Sequence, residues 1–79
     1  MNNNELYDSA FVEVFEIEKE TLSGLEFESI DEWDSVGHME LMACLEETFD
    51  IMLDMDDILD FSSYEKGKQI CKKYGVEVA

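Results

Sequence analysis

Ser35 lies in the one stretch of this chain where residue types and spacing could do chemistry. It is preceded by Asp34 and followed, three residues on, by His38, the chain's one histidine. Two kinds of chemistry use a serine in such company. A hydrolase would need His38 to take the serine proton, with an acid holding the imidazole in place. His38 follows Ser35 on the same helix, but a surface, solvated His38 is the expectation, so a convincing base and a pocket are lacking. The other use is a phosphoester. Asp34 and Ser35 are capping types, so the serine falls at a helix start. There, free N–H groups and the helix dipole accommodate phosphate. The same dipeptide also suits plain capping with no chemistry attached.

The segments that must hold Ser35 are helical by pattern. Proline is absent and only four glycines occur. Long alternating β-branched runs are missing, so no sheet is expected. Leu6, Ala10, Val14 and Ile17, with Phe11 beside them, predict an amphipathic helix over Glu5–Glu18. Lys19–Asp34 loses the period, and Ser23, Gly24, Ser29 and Asp31 are turn formers. Leu22, Leu25, Phe27, Ile30 and Trp33 are spaced along it as anchors, so this is a long loop pinned to the core. Loops of this length within a compact domain are usually functional. A second helix runs over Ser35–Phe49, its buried stripe Leu41, Leu45 and Phe49. A short helix follows at Asp56–Asp60, with Asp56 and Asp57 suited to its N-terminal dipole. A last helix covers Ser63–Tyr74, with Ser62 and Glu65 spaced as a capping box, Lys72 and Lys73 in the last turn and Gly75 as the stop. Tyr64, Gly67, Ile70, Cys71 and Tyr74 share one face. Residues 1–79 therefore read as a single domain, an all-α bundle of three main helices and one short one.

Composition narrows the partners. The 79 residues hold 21 acids against 5 lysines and arginines, a formal net charge of −16. Phosphate backbones and anionic lipid surfaces are poor partners for such a chain, and basic protein patches are good ones. Nucleic-acid binding and stable membrane insertion are not expected. Hydrophobic residues make up 46% of the chain, too many for disorder. No Lys or Arg occurs between Glu20 and Glu65, a span holding 15 of the 21 acids. That span reads either as a solvated face or as a docking face. Cys44 and Cys71 form no CxxC and are expected to be inert buried thiols. Asp54-Met55-Asp56-Asp57 fails as a calcium loop, because Ile58 and Leu59 fall where a ligand and a glycine are required. Met1–Glu5 has no basic or apolar leader character, so the reducing cytoplasm is the expected location, and the charge's self-repulsion makes a monomer the expected state.

The longer pattern Asp34-Ser35-Val36, Glu40-Leu41, Leu45-Glu46-Glu47 and Phe49-Asp50-Ile51 resembles the acyl carrier protein family. The likeness is densest from Trp33 to Ile51 and weaker in the first helix and the last two. It implies 4′-phosphopantetheine attached to Ser35 through a phosphodiester, placed there by a phosphopantetheinyl transferase from coenzyme A. An acyl group would ride on the arm's thiol as a thioester, with the chain a non-catalytic carrier. The implied partners are a loading ligase and a downstream synthase or transferase with basic docking patches. Asp34, Glu40, Glu46 and Glu47 are the docking acids, with Val36 and Met39 as partly exposed apolar contacts. Leu41, Leu45, Phe49, Ile58, Leu59, Phe61 and Ile70 should line the core. Gly37 departs from the family, where many members carry an acid two residues after the serine. It is expected to loosen the first turn, since glycine in a helix costs about 1 kcal/mol against alanine. An aminoacyl or peptidyl carrier fits the same residues. An acidic helical adaptor with no prosthetic group explains the charge but leaves the placement of Ser35 as coincidence.

Overall fold

The computed structural model describes residues 2–79; Met1 of the N-terminal reading lies outside them. Four helices follow in order: α1 (Asn3–Phe15), α2 (Ser35–Phe49), α3 (Met55–Asp60) and α4 (Tyr64–Lys73). The molecule is the expected all-α bundle of three main helices and one short one, with a long α1–α2 loop. No helix among the described residues is long and apolar enough to cross a membrane.

Helix α1 starts and stops earlier than its apolar spacing predicts. The Asn2 side chain accepts the Glu5 N–H at 2.8 Å and opens the helix. Glu16 adopts a left-handed conformation and closes it, so Ile17 falls outside. The buried stripe is Tyr7, Ala10, Phe11 and Phe15, whereas Leu6, Val14 and Ile17 are only half-buried. The aromatic rings decide this rotation, because each buries more apolar area than the aliphatic residues beside it. Phe11 sits among the rings of Tyr7, Tyr64 and Trp33 at 5.0–5.6 Å between centroids. The Tyr7 hydroxyl, fully buried, donates to the Tyr64 carbonyl at 2.7 Å.

The loop is pinned as expected. Leu22, Leu25 and Trp33 are buried, and Phe27 and Ile30 are half-buried. It also carries a single 3-10 turn at Lys19–Thr21. An isolated antiparallel bridge joins Glu26 to Ser63. There the Phe27 N–H donates to the Ser62 carbonyl and the Tyr64 N–H to the Leu25 carbonyl, both at 2.9 Å. The capping box expected of Ser62 and Glu65 does not form. Ser62 lends its carbonyl to that bridge, and Ser63 caps α4, its hydroxyl accepting the Lys66 N–H at 2.9 Å. Past the other end, the Gly75 N–H donates to the Lys72 carbonyl and the Val76 N–H to the Cys71 carbonyl. These paired bonds, with Gly75 at φ +83°, form the glycine stop that the spacing predicts.

Every buried side-chain polar atom among the described residues has a hydrogen-bond partner. Cys71 is buried, and burial pushes its thiol up to about 11, which suits an inert side chain. Cys44 is half-buried rather than buried, near the Thr48 hydroxyl on the exposed edge of α2.

Candidate functional site

Asp34 and Ser35 divide the roles that capping left open. The Asp34 carboxylate accepts the Gly37 N–H at 2.8 Å and is the cap. Ser35 is the first residue of α2, and its side chain is exposed. The serine hydroxyl thus stands at the positive end of a 15-residue helix while a neighbour does the capping.

Gly37 explains how the loop and helix come together. A Cβ at this position would lie far inside contact distance of the Glu32 carbonyl oxygen and press on the Phe15 ring. The fold gives this residue a packing role. Its missing side chain lets the loop backbone lie directly on α2, which fixes where the helix begins.

Ser35 opens onto an apolar surface groove of about 310 Å³ between α2 and α3. His38 and Met39 line it from α2, and Met55, Ile58 and Leu59 from α3, while Phe27, Phe61 and Ser62 close its end. Leu59 was expected in the core and is instead 73% exposed, and Ile58 is half-buried. Helix α3 is six residues long and turns these side chains to the groove; its one buried residue is Asp57. Phe49, also expected in the core, is half-buried at the end of α2. Leu41, Leu45, Phe61 and Ile70 are buried as expected.

His38 is not a solvated surface residue. The Trp33 indole Nε1–H donates to His38 Nδ1 at 2.9 Å, and His38 Nε2 lies 2.7 Å from the Ile58 carbonyl oxygen. An indole N–H can only donate, so Nδ1 must be the acceptor and the proton sits on Nε2, which donates to Ile58. The ring stacks on Trp33 at 6.2 Å and meets the edges of Phe27 and Phe61. With its lone pair given to Trp33 and its proton to Ile58, this imidazole has nothing with which to deprotonate Ser35. One sequence signal pointed to this role. Trp33 is the chain's one tryptophan, and a buried indole N–H needs an acceptor close by.

The expected docking residues separate into two groups. Val36 and Met39 are 68% and 52% exposed and flank Ser35; Asp34, Glu40 and Glu47 are exposed along the same helix. Met52, Met55 and Leu59 are large apolar side chains left in solvent among Asp54, Asp56 and Asp60. Glu46 behaves differently. It is half-buried, and its carboxylate accepts the Leu53 N–H at 2.8 Å, so it closes the turn after α2. No group of three or more metal-ligand side chains occurs among the described residues.

Comparison with protein-family models, with curated proteins and with solved structures finds no match to this chain. Its own geometry therefore defines it: a small acidic all-α bundle with an exposed serine at a helix start, beside an apolar groove.

Proposed function

We propose that this chain is a carrier protein that holds an acyl group as a thioester on 4′-phosphopantetheine attached to Ser35. The observation that carries the reading is the exposed Ser35 hydroxyl at the first turn of α2, opening onto the apolar groove. The residues present fit the group. Ser35 offers an accessible hydroxyl for a phosphodiester, and the α2 dipole favours the phosphate's charge there. The Asp34 carboxylate already occupies the Gly37 N–H, so the phosphate would draw on the helix field and not on that donor. When bound, the group supplies the thiol on which an acyl chain is carried. The protein supplies the handle and a groove whose lining, Met39, Met55, Ile58 and Leu59 foremost, suits an apolar cargo better than a charged aminoacyl one.

Partner enzymes are read from the same face. Val36 and Met39 give apolar contact, and Asp34, Glu40 and Glu47 ring them with charge that a basic patch would complement. Glu46 leaves the docking set, because its carboxylate is spent on the Leu53 N–H. The phosphopantetheinyl transferase, the loading ligase and a downstream synthase or transferase are the partner classes this implies.

Intact mass before and after incubation with coenzyme A, Mg²⁺ and a promiscuous phosphopantetheinyl transferase tests the reading. The expected result is a gain of one phosphopantetheine by the wild type and none by Ser35→Ala. A panel of transferases that leaves the wild-type mass unchanged overturns it in favour of an acidic adaptor.

A further inference from the structure

Helix α3 is weakly anchored by apolar packing, which makes its polar ties decisive. Its one buried residue is an aspartate, and Met55 and Leu59 face solvent at 66% and 73% exposure. At one side, Asp57 accepts hydrogen bonds from Lys73 and Tyr74 and holds α3 to α4. Across the groove, the hydrogen bond from His38 Nε2 to the Ile58 carbonyl joins α2 to α3. The Ile58 carbonyl lies in the last turn of α3, where carbonyls lack helical partners. Its other donor is a long bond from the Phe61 N–H at 3.4 Å. His38 is therefore a polar tie between α3 and the helix that starts at Ser35.

We propose that His38 is a proton-sensitive latch: its neutral imidazole ties α3 to α2 across the groove, and its protonation releases α3 and opens the groove beside Ser35. The logic lies in the indole. A proton added at Nδ1 turns that nitrogen into a donor, facing the Trp33 N–H at 2.9 Å. Trp33 is fully buried and cannot turn to accept. The imidazolium must swing out of the stack, and the Nε2–H leaves the Ile58 carbonyl with it. A cation held among Phe27, Trp33 and Phe61 would also find no counter-charge in the groove lining, so open solvent is its better place.

No charged side chain lines the groove with His38. On α2, Asp34 is turned to the Gly37 N–H, and Glu40 is exposed outside the lining. On α3, Asp57 is turned to Lys73 and Tyr74, and Asp54, Asp56 and Asp60 are exposed outside the lining. From the loop side, Phe27 and Trp33 are uncharged. His38 is thus the one acid–base side chain lining the groove, acting as a positioning residue for whatever lies beside Ser35. The inference goes beyond the carrier reading and does not rest on it, because the latch is present in the unmodified chain.

The test uses that unmodified chain between about pH 8 and pH 5, a window that lies above the ordinary carboxylate range. Trp33 fluorescence reports the indole, and the neutral dye N-phenyl-1-naphthylamine reports the groove. In the wild type, acid should change Trp33 emission and tighten dye binding about tenfold, the scale of one lost hydrogen bond. His38→Gln keeps an acceptor for Trp33 and a donor for Ile58 but cannot take the proton. It should bind the dye weakly and equally at both pH values. His38→Phe should bind it tightly at both, with far-UV circular dichroism verifying that each variant stays helical. Dye binding that ignores pH in the wild type, or responds equally in His38→Gln, overturns the latch. Neither outcome bears on whether Ser35 accepts phosphopantetheine, so the two readings fail separately.

Discussion

Gly37 and Gly67 carry more of the fold than their size suggests, and each is a place where two parts of the chain touch without a side chain between them. At Gly67 a Cβ would overlap the Phe61 ring and the Tyr7 hydroxyl, both buried. At Gly37 the obstacle is backbone, the Glu32 carbonyl, which cannot rotate away as a side chain can. Two effects oppose each other in Gly37→Ala. Alanine is the better helix former by about 1 kcal/mol, while forced overpacking costs typically 1–3 kcal/mol and occasionally more. The close approach to a carbonyl oxygen puts this site at the upper end, so the clash wins. Thermal unfolding followed by circular dichroism should show a net loss of about 2 kcal/mol, or a fall of about 10 °C for a chain this size. A higher melting temperature would mean that the loop is free to withdraw from α2. Read from sequence alone, Gly37 looked like a weak helix residue. Only the fold reveals the carbonyl above it, because that contact comes from a loop whose path has no periodic signal.

At the scale of elements, the segments with a strong local pattern were the legible ones. The pattern places α2 at its observed bounds because the capping types Asp34 and Ser35 and a four-residue apolar repeat agree there. The loop anchors were legible too, since isolated large apolar residues in a polar stretch have to go somewhere dry. The faces that differ from the pattern do so for separate reasons. The α1 stripe was assigned from aliphatic spacing, and aromatic volume shifted it. On α3 the apolar pattern places Ile58 and Leu59 in the core; Ile58 packs against it, half-buried, while Leu59 is exposed, because a six-residue helix has too little surface to bury one face and also border a groove. Besides the packing of Ile58, what holds α3 is polar, and that makes its attachment depend on pH. The Lys73 and Tyr74 hydrogen bonds lower the Asp57 carboxyl below its ordinary range, Lys73 being the larger cause. The Asp57 hydrogen bond raises Lys73 in turn. Asp57 thus adds stability that is present above its unfolded-state value and lost as acid protonates it in the fold. Lys73 adds stability that is present below its unfolded-state value and lost as alkali deprotonates it. The clasp is strongest between those limits. Asp57→Asn should melt below the wild type at neutral pH, and the gap should shrink as the pH falls through the lowered carboxyl range. A gap that is constant down to that range would show that the carboxylate's charge contributes nothing at this joint.

For the whole molecule, the net charge of −16 must be weighed against its dimensions of 29 × 27 × 19 Å. The Debye length is about 30 Å at 0.01 M salt and about 10 Å at 0.1 M. At low salt, carboxylates on opposite faces therefore repel one another across the entire body. At moderate salt, each feels only its neighbours. Few local ion pairs offset that repulsion. The described residues show three, Lys19–Asp8, Lys68–Glu65 and Lys73–Asp57, and the Lys68–Glu65 pair, three residues apart within α4, is worth little. Unfolding spreads the charge out, so repulsion destabilises the compact form, and salt should reverse this. Raising sodium chloride from about 0.01 M to about 0.5 M should lift the melting temperature by at least about 5 °C, the equivalent of roughly 1 kcal/mol for a domain this small. Millimolar Mg²⁺ should act in the same direction at lower concentration. With no metal-ligand cluster among the described residues, Mg²⁺ and Ca²⁺ should act alike, through the diffuse field and not through a fitted site. Superimposable melting curves across that salt range would mean that the carboxylates are already neutralised by local contacts. A rise with Ca²⁺ far above that with Mg²⁺ would mean that some of these acids converge on a cation.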